Sequence, residues 1–409
     1  MGSMHSHKAQ GIIATIECFS AHHYARFDTL IPAHARGMRI WDVDGRRLLD
    51  MAALYSAANI GHNHPRIKKV MQGDYPMVPH RFYTPQEAEA LQFLWEVSGM
   101  QAGLFMNSGA EAFDTVLKLA RKWAYMRKGV PQDKAMIIVA NDNFHGRTLA
   151  ATSASSTKKY KENFGPHAPG FIYVPFGDIE ALEKAITSHT AGLILEPIQC
   201  EGGIIFPGDS YLSSAKELCK NNAMLYVLDE VQTGLGRTGK MFAYEHWGVQ
   251  PDILLAAKSI GGGQYPVSVV LASRDIMDTF EPGEHGSTWG GNALACAIVV
   301  ETLKILQDED LVRRSAAHGA YFLQKLWEVQ SRFIKEVRGL GLLIGIELTP
   351  EAGDVDEWCK RLHHEGFLCI SARNNVIRLT PPLIISLAQI DSFIRALKRV
   401  LHQKENGAW

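Results

Sequence analysis

Short apolar runs that alternate with helical stretches constrain the fold of this chain more than any other feature. From about residue 103 onward, patterns typical of helices, such as 178–188 and 209–222, separate several of these runs. The runs are AMIIVAN (135–141), GFIYVPF (170–176), AGLILEP (191–197), AMLYVLDE (223–230) and DILLAAK (252–258). Strands that alternate with helices form a mostly parallel sheet covered on both faces. The sequence therefore predicts an α/β fold built on a large sheet.

The two ends of the chain have a different pattern. A hairpin is expected within 38–54, around Asp44-Gly45, and a helix over 86–98. A long helical pattern begins near Gly291 and continues past residue 330. Beyond it, the chain shows an apolar stretch at 337–348, a helix near 354–365, a strand-like stretch at 376–383 and a closing helix near 386–402. This mixture predicts a smaller α+β domain after a large α/β domain.

The predicted organisation has four parts. The first residues, MGSMHSHK, resemble a cloning remnant and are left out of fold reasoning. The assignment is a remnant at 1–8, an N-terminal segment at 9–60 that contributes to the small domain, the large domain at 61–310 and the C-terminal small domain at 311–409.

Composition and charge exclude several classes of function. The 409 residues are 46% hydrophobic and 21% charged, as in a soluble globular enzyme, and the net charge is -1. We therefore expect no nucleic-acid partner and no membrane partner. The six cysteines show no CxxC spacing, so we expect reduced thiols rather than a zinc knuckle or disulfide framework. A cytoplasmic location is expected; a transit peptide replaced by the remnant would indicate the mitochondrial matrix instead.

Two predicted strands end in residues that carry chemistry. One strand ends in Asp229, with Gln232 soon after it, and another ends in Lys258. Ligands of open parallel sheets lie at the carboxyl ends of the strands, so the acid and the lysine can meet in one crevice. A structural salt bridge is the simpler interpretation. The functional interpretation is the pair that pyridoxal phosphate needs: a lysine that forms an imine and an acid at the pyridine nitrogen.

Three further segments extend this interpretation. In MNSGAEAFDTVLKLARKWA (106–124), Asn107 or Ser108 can cap an amphipathic helix, whose free N–H groups attract phosphate, and Gly109 allows close backbone approach. In NFHGRTL (143–149), the aromatic residue could stack on a cofactor ring, and Arg147 could clamp a carboxylate. EHGSTWGGN (284–292) could make a second phosphate contact. Taken singly, the first segment is better explained as an ordinary capped helix, and a surface loop and a turn are the alternatives for the other two.

Two other patterns are weaker. GLGRTGK (234–240) matches the glycine pattern of nucleotide loops, but Met241 stands where a magnesium-binding Ser or Thr belongs. The histidines of AHHY and GHNHP lack a third ligand at a useful spacing, so no metal is expected.

Longer motifs carry a resemblance to a known family. They are YSAANIGHNHP, MNSGAEA, LARKWAY, NFHGRTL, GPHAPGF, EPIQCEGG, LDEVQTGLGRTG, AAKSIGGGQYPVSVVLA, PGEHGSTWGGN and VIRLTPPL, spread from about Ala21 to Leu401. In these motifs the chain resembles the class III, or subgroup II, pyridoxal-phosphate aminotransferases of fold type I. YPVS and PGEHGST resemble the ornithine δ-aminotransferase branch more than the acetylornithine enzymes. The resemblance implies a large cofactor-binding domain with a mostly parallel, seven-stranded type of sheet, and a small domain formed by both chain ends.

The resemblance assigns five residues to the cofactor ring. Lys258 would form the Schiff base with pyridoxal phosphate and later act as the base on the carbon next to the imine nitrogen. Asp229 would pair with the pyridine nitrogen, and Gln232 would contact the phenolic oxygen. Phe144 would stack on the ring, with His145 beside it.

The phosphate contacts implied by the resemblance involve two subunits. Ser108, Gly109 and Ala110 would hold the phosphate from one subunit. Thr288, with Ser287 beside it, would reach the phosphate from the other subunit. The implied assembly is a homodimer with shared active sites.

The remaining implied roles concern substrates. Arg147 and Tyr55 would bind the α-carboxyl and α-amino end of ornithine, and Tyr83 would line the pocket. Glu201 would pair with Arg378 while ornithine is bound, and would then release it to take the α-carboxylate of glutamate or 2-oxoglutarate.

The expected reaction moves the δ-amino group of ornithine to 2-oxoglutarate. Its products are glutamate and glutamate 5-semialdehyde, which cyclises to pyrroline-5-carboxylate. The alternative is another ω-amino donor on the same scaffold: N-acetylornithine, 4-aminobutyrate or lysine. The chain departs from the usual family pattern at Cys200, Gly202, Trp289 and Ala293, and in the stretches GDYPMVPHRFY and HHYARFDTL.

Overall fold

The computed structural model describes residues 6–27, 29–407 and 409. The first five residues of the predicted remnant therefore lie outside the described part. Helix α1 begins at His7, within the remainder of that segment, and Ser6 caps it. The strands are β1 (Pro32–Arg36), β2 (Arg39–Asp42), β3 (Arg47–Asp50), β4 (Ala102–Met106), β5 (Met136–Ala140), β6 (Phe171–Val174), β7 (Thr190–Leu195), β8 (Leu225–Asp229), β9 (Ile253–Ala256), β10 (Ser268–Ala272), β11 (Ile334–Leu340), β12 (Leu343–Leu348), β13 (Phe367–Leu368), β14 (Ile370–Ala372) and β15 (Val376–Leu379).

Helices cover these strands. They are α1 (His7–Phe19), α2 (Ala53–Ser56), α3 (Pro65–Val70), α4 (Pro85–Ser98), α5 (Gly109–Trp123), α6 (Leu149–Ser153), α7 (Lys158–Lys161), α8 (Ile179–Ala185), α9 (Tyr211–Asn221), α10 (Arg274–Met277), α11 (Ala293–Asp308), α12 (Leu311–Trp327), α13 (Val355–His364) and α14 (Leu387–Glu405). None of the helices in the described ranges is long and apolar enough to cross a membrane.

The large sheet has seven strands in the order β4-β10-β9-β8-β7-β5-β6. The pairs from β9 to β6 are parallel, and β10 runs antiparallel to both of its neighbours. Every residue of β7, β8 and β9 is buried, because helices cover both faces of the sheet. The predicted α/β class and the mostly parallel, seven-stranded sheet are confirmed. The five apolar runs became β5 to β9, whereas β4 and β10 were not predicted as strands.

Two smaller sheets have the orders β1-β2-β3-β13 and β11-β12-β15-β14. The predicted hairpin around Asp44-Gly45 is formed by β2 and β3. Strand β3 also pairs with β13, so strands from both ends of the chain share a sheet. The domain limits drawn from the sequence stay a prediction.

The single long helical pattern from Gly291 past residue 330 was wrong. The chain forms α11 and α12 there, with a break at Asp310, whose φ of 51° lies in the left-handed region. The second helix ends at Trp327, and β11 begins at Ile334. Both helices present apolar residues to the core, so their patterns merge into one in the sequence.

Candidate active site

The site lies where β5, β7, β8 and β9 end at the same edge of the large sheet. Lys258 follows β9 with a φ of 49°, a conformation that costs a lysine free energy and persists where tertiary contacts enforce it. Its Nζ donates a hydrogen bond to Oε1 of Gln232, which follows β8, at 2.7 Å. Desolvation lowers the pKa of Lys258 below its usual range, and the charge of Glu201 opposes this effect. The fold therefore holds a lysine whose amine loses its proton more readily than an exposed one.

Asp229, the last residue of β8, is held by two hydrogen bonds. Nδ1 of His145 donates to its Oδ2 at 2.7 Å, and the N–H of Val231 donates to its Oδ1 at 3.0 Å. The His145 ring stacks on Phe113, with the centroids 4.5 Å apart, and its buried Nε2 has no partner among the described residues. The carboxylate is thus fixed in one orientation at the floor of the site.

Glu196, directly after β7, is a buried site residue that the sequence analysis missed. Its Oε2 accepts a hydrogen bond from the N–H of Phe144 at 3.0 Å. Burial, with a smaller contribution from the charge of Asp229, raises the pKa of Glu196 to about 7 against the opposing charge of His145. The rule that found Asp229, an acid at the end of a predicted strand, could also have found Glu196.

These side chains line a cavity of about 200 Å³. Glycine is required at position 146, where φ is +129° and a Cβ would lie 2.6 Å from the Cβ of Ala110. Position 109 is tightly packed, since a Cβ there would lie 3.0 Å from Val231. The residues that line the cavity include Gly109, Ala110, Phe144, His145, Gly146, Glu196, Asp229, Gln232 and Lys258.

The start of α5 forms one end of this cavity. Ser108 caps the helix, and Glu111 accepts hydrogen bonds from the N–H groups of Asn107 and Ser108. The first-turn N–H groups at Gly109 and Ala110 have no acceptor within the helix, which makes this end suited to an anion. A lysine, a fixed carboxylate and a helix N-terminus around one narrow cavity fit the aldehyde, the ring nitrogen and the phosphate of pyridoxal phosphate.

A second cavity of about 790 Å³ adjoins the first, with Lys258 and Phe144 in the walls of both. Tyr55 and Arg147 also line it. Tyr55 belongs to α2, whose four residues all have positive φ, and Oδ1 of Asp50 accepts hydrogen bonds from two backbone N–H groups at the start of this turn. Such an unfavourable turn persists because its surroundings enforce it, and it presents Tyr55 to the cavity.

Glu201 and Arg378 form an ion pair at the edge of this cavity. Oε1 of Glu201 accepts a hydrogen bond from Nη1 of Arg378 at 2.5 Å. Arg378 is fully buried, and its Nε has no partner among the described residues. Burial would raise the pKa of Glu201, but the charge and hydrogen bond of Arg378, together with the charges of Lys258 and Arg373, hold this pKa below its usual range. The arginine is therefore masked by a carboxylate that is charged at neutral pH.

Five expected residues line neither cavity. Two of them lie next to the cavities, because Ser108 caps α5 and Arg378 pairs with Glu201. Ser287 accepts a hydrogen bond from Nδ2 of Asn107 at 2.8 Å, close to the start of α5, but lines neither cavity. Thr288 and Tyr83 are exposed and also line neither. The second cavity also includes His23 and Tyr24, from the stretch HHYARFDTL that departs from the family pattern. Its other lining residues were not singled out from the sequence: Leu149, Thr152, Lys159, Tyr160 and Phe164.

The glycine-rich stretch 234–240 serves packing. Arg237 is fully buried, and its Nη1 donates hydrogen bonds to the carbonyl oxygens of Leu342 at 2.8 Å and Pro381 at 2.7 Å. Across the described ranges, no group of three or more His, Cys, Asp or Glu residues could hold a metal ion.

Comparisons with known proteins agree with this geometry. The family model for class-III aminotransferases matches residues 19–401. The ornithine aminotransferase of Brevibacillus brevis is 47% identical over 401 residues, which cover 97% of this chain and 100% of that protein. A crystal structure of the ornithine aminotransferase from Toxoplasma gondii ME49 superposes with a TM-score of 0.95 at 37% identity, over 98% of this chain and 96% of that one. A second structure of the Toxoplasma gondii enzyme, described with partial occupancy of pyridoxal phosphate at its active site, gives a TM-score of 0.93 at 38% identity, over 97% and 95% of the two chains.

Proposed function

The chain belongs to the class-III aminotransferases, enzymes of fold type I that use pyridoxal phosphate, and we propose that it transfers the δ-amino group of L-ornithine to 2-oxoglutarate. The products are glutamate and glutamate 5-semialdehyde, which cyclises to pyrroline-5-carboxylate. The observation that carries the proposal is the difference between two arginines at the larger cavity. Arg378 is paired with Glu201, whereas Arg147 has no ion pair with any residue in the described ranges.

When bound, pyridoxal phosphate supplies an aldehyde that reacts with amines and a ring that withdraws electrons. The residues of the smaller cavity would hold it. Asp229 would keep a proton at the ring nitrogen, because a fixed carboxylate stabilises the positive charge there. Gln232 would contact the phenolic oxygen, and the start of α5 at Gly109 would hold the phosphate. The Nζ of Lys258, with its lowered pKa, takes the proton from the substrate carbon that bears the reacting amine.

The larger cavity would select the donor. Ornithine carries two amines, and its α-amine must be kept away from the reaction. Arg147 binds the α-carboxylate and Tyr55 lies beside the α-amine, so the δ-amine points toward Lys258. Glu201 masks Arg378 at this stage and removes the alternative carboxylate site.

The second half of the reaction requires a different carboxylate site. Glutamate and 2-oxoglutarate carry a carboxylate next to the reacting carbon. Glu201 then leaves Arg378, whose guanidinium binds this carboxylate as a bidentate partner. One site thereby accepts two unlike substrates in turn.

The assembly and compartment belong to the same proposal. We propose a homodimer in which Thr288 and Tyr83 complete the partner's site, because both are exposed in the single chain. A cytoplasmic location is supported by the six cysteines, which are all free thiols.

A panel of amino donors tests the substrate assignment. The holoenzyme would be assayed with 2-oxoglutarate and L-ornithine, N-acetylornithine, 4-aminobutyrate or L-lysine, with trapping of the cyclised product. We expect kcat/KM for ornithine to exceed the others by about tenfold or more, since N-acetylornithine and 4-aminobutyrate lack the charged α-amine and lysine is one methylene longer. Lys258→Ala is the control without turnover. A higher kcat/KM for N-acetylornithine would transfer the assignment to the alternative donor.

A further inference from the structure

Arg147 lies in a corner formed by two aromatic rings. Its guanidinium carbon is 3.9 Å from the ring centroid of Tyr160 and 5.4 Å from that of Phe144. The two rings are nearly perpendicular, with an interplanar angle of 78°. Among the residues that the structure describes, no hydrogen bond or ion pair involves the guanidinium of Arg147. The side chain is therefore held by ring contacts, and its N–H donors stay free for a ligand.

Tyr160 is itself held by a second arginine. The guanidinium carbon of Arg373 lies 5.7 Å from the centroid of the Tyr160 ring. Arg373 is fixed by hydrogen bonds from its Nη1 to Oδ1 of Asp142 at 3.0 Å and to Oγ1 of Thr157 at 2.9 Å. The ring of Tyr160 thus connects an anchored arginine with the unpaired one in the larger cavity.

This arrangement has a consequence for binding. A guanidinium over an aromatic face is attracted by the ring, and the contact does not use its N–H donors. Arg147 is therefore oriented before a carboxylate arrives, which reduces the ordering cost of binding. A carboxylate partner would orient the arginine equally well, but it would compete with the substrate for the same donors.

We propose that Tyr160 is a positioning residue that sets the preference for donors with a carboxylate at the end remote from the reacting amine. The inference rests on the proposed function, because it assigns Arg147 to the ornithine α-carboxylate. Tyr160 acts through Arg147 and touches neither the reacting carbon nor the amine that is transferred.

Two substitutions at Tyr160 separate the contribution of the ring from that of its hydroxyl. Tyr160→Leu keeps an apolar side chain and removes the aromatic face. Tyr160→Phe keeps the face and removes a hydroxyl that forms no hydrogen bond within the described part of the chain. Each holoenzyme would react in single turnovers with L-ornithine and with 1,4-diaminobutane, which is ornithine without its carboxylate. Steady-state KM and kcat for ornithine, and the melting temperature of each variant, complete the measurements.

For Tyr160→Leu we expect the KM for ornithine to rise about threefold to tenfold, with kcat within about twofold of the parent. The single-turnover efficiency with 1,4-diaminobutane should not change, and Tyr160→Phe should match the parent for both donors. An equal loss for both donors, or a parent-like KM in a folded Tyr160→Leu enzyme, would overturn the inference. A parent enzyme that fails to use ornithine would overturn the proposed function as well, so the two failures are distinguishable.

Discussion

In the proposed mechanism, substrate choice depends first on one charge, the carboxylate of Glu201. Arg378 is fully buried, so removing its partner leaves an unpaired charge that costs about 3–5 kcal/mol in comparable pairs. Glu201→Gln keeps the shape of the side chain and removes this charge. We expect the half-reaction with ornithine to weaken about tenfold or more relative to the half-reaction with glutamate, because Arg378 is then available to an α-carboxylate throughout. Single-turnover spectra with each donor measure both halves. An unchanged ratio would show that this ion pair does not control the order of substrates.

The loop that carries Glu201 is the element that places this charge. Residues 199–205 form a tight turn closed by hydrogen bonds between the backbones of Gln199 and Ile205. Arg338, in β11, donates from Nη2 to the carbonyl oxygen of Gly203 at 2.6 Å and from Nε to that of Ile204 at 2.9 Å. Its Nη1 also pairs with Glu347 at 2.6 Å. Arg338 therefore holds the loop against β11 through these hydrogen bonds. A shift of β11 would move the loop and, with it, Glu201.

This contact leads to a prediction for Arg338→Gln. Loss of two charge-assisted hydrogen bonds should loosen the loop and shift the ratio of the two half-reactions in the same direction as Glu201→Gln, by about threefold to tenfold. Arg332→Gln is the matched control, because Arg332 is an exposed arginine near the same strand that stacks on Phe333 and forms no ion pair in the described ranges. If both variants are folded and show the parent's ratio of the two half-reactions, the hydrogen bonds from Arg338 to the loop do not affect the order of substrates.

At the scale of the whole molecule, the single chain exposes large apolar side chains. Several of them lie close in sequence to Tyr83 and Thr288, the residues proposed to complete the partner's site. Met77, Val78, Phe82 and Trp289 are among them, and Tyr83 is fully exposed. Exposed apolar surface of this kind indicates an interface between proteins. A two-fold interface would bring the same surfaces of two copies together and complete both sites at once.

Mixed dimers test this assembly. Lys258→Ala and Thr288→Glu affect opposite ends of a shared site, so a mixed dimer contains one intact site, and co-expression should restore about a quarter of the parent activity. Lys258→Ala with Asp229→Asn is the control: both residues belong to the same chain's contribution, so no intact site forms. Light scattering at the assay concentration would give the molar mass of the active species and so distinguish a monomer from a dimer. A fully active monomer, or no recovery in the first mixture, would contradict the shared site.

The part of the site that could be predicted from sequence is the part that topology alone positions. Parallel strands end at one edge of a sheet, so Asp229 and Lys258 could be brought together from their places after two apolar runs. The cap at Ser108 and the glycine at position 109 could be predicted because the start of an amphipathic helix is visible in the local sequence. Their detailed roles came from the resemblance to a known family, which also supplied Glu201 and Arg378 from distant segments.

Other features depended on contacts between segments far apart in the chain. The corner around Arg147 needs Tyr160 from a short helix and Arg373 from a loop more than 200 residues later, and no spacing rule connects them. Glu196 has a pKa near 7 because the folded chain buries it beside Asp229. The break at Asp310 was hidden because both helices bury apolar faces in one core. Local periodicity thus determined the five central strands and the edge of the sheet at which they end, while packing between distant segments decided which side chains meet and how their charges behave.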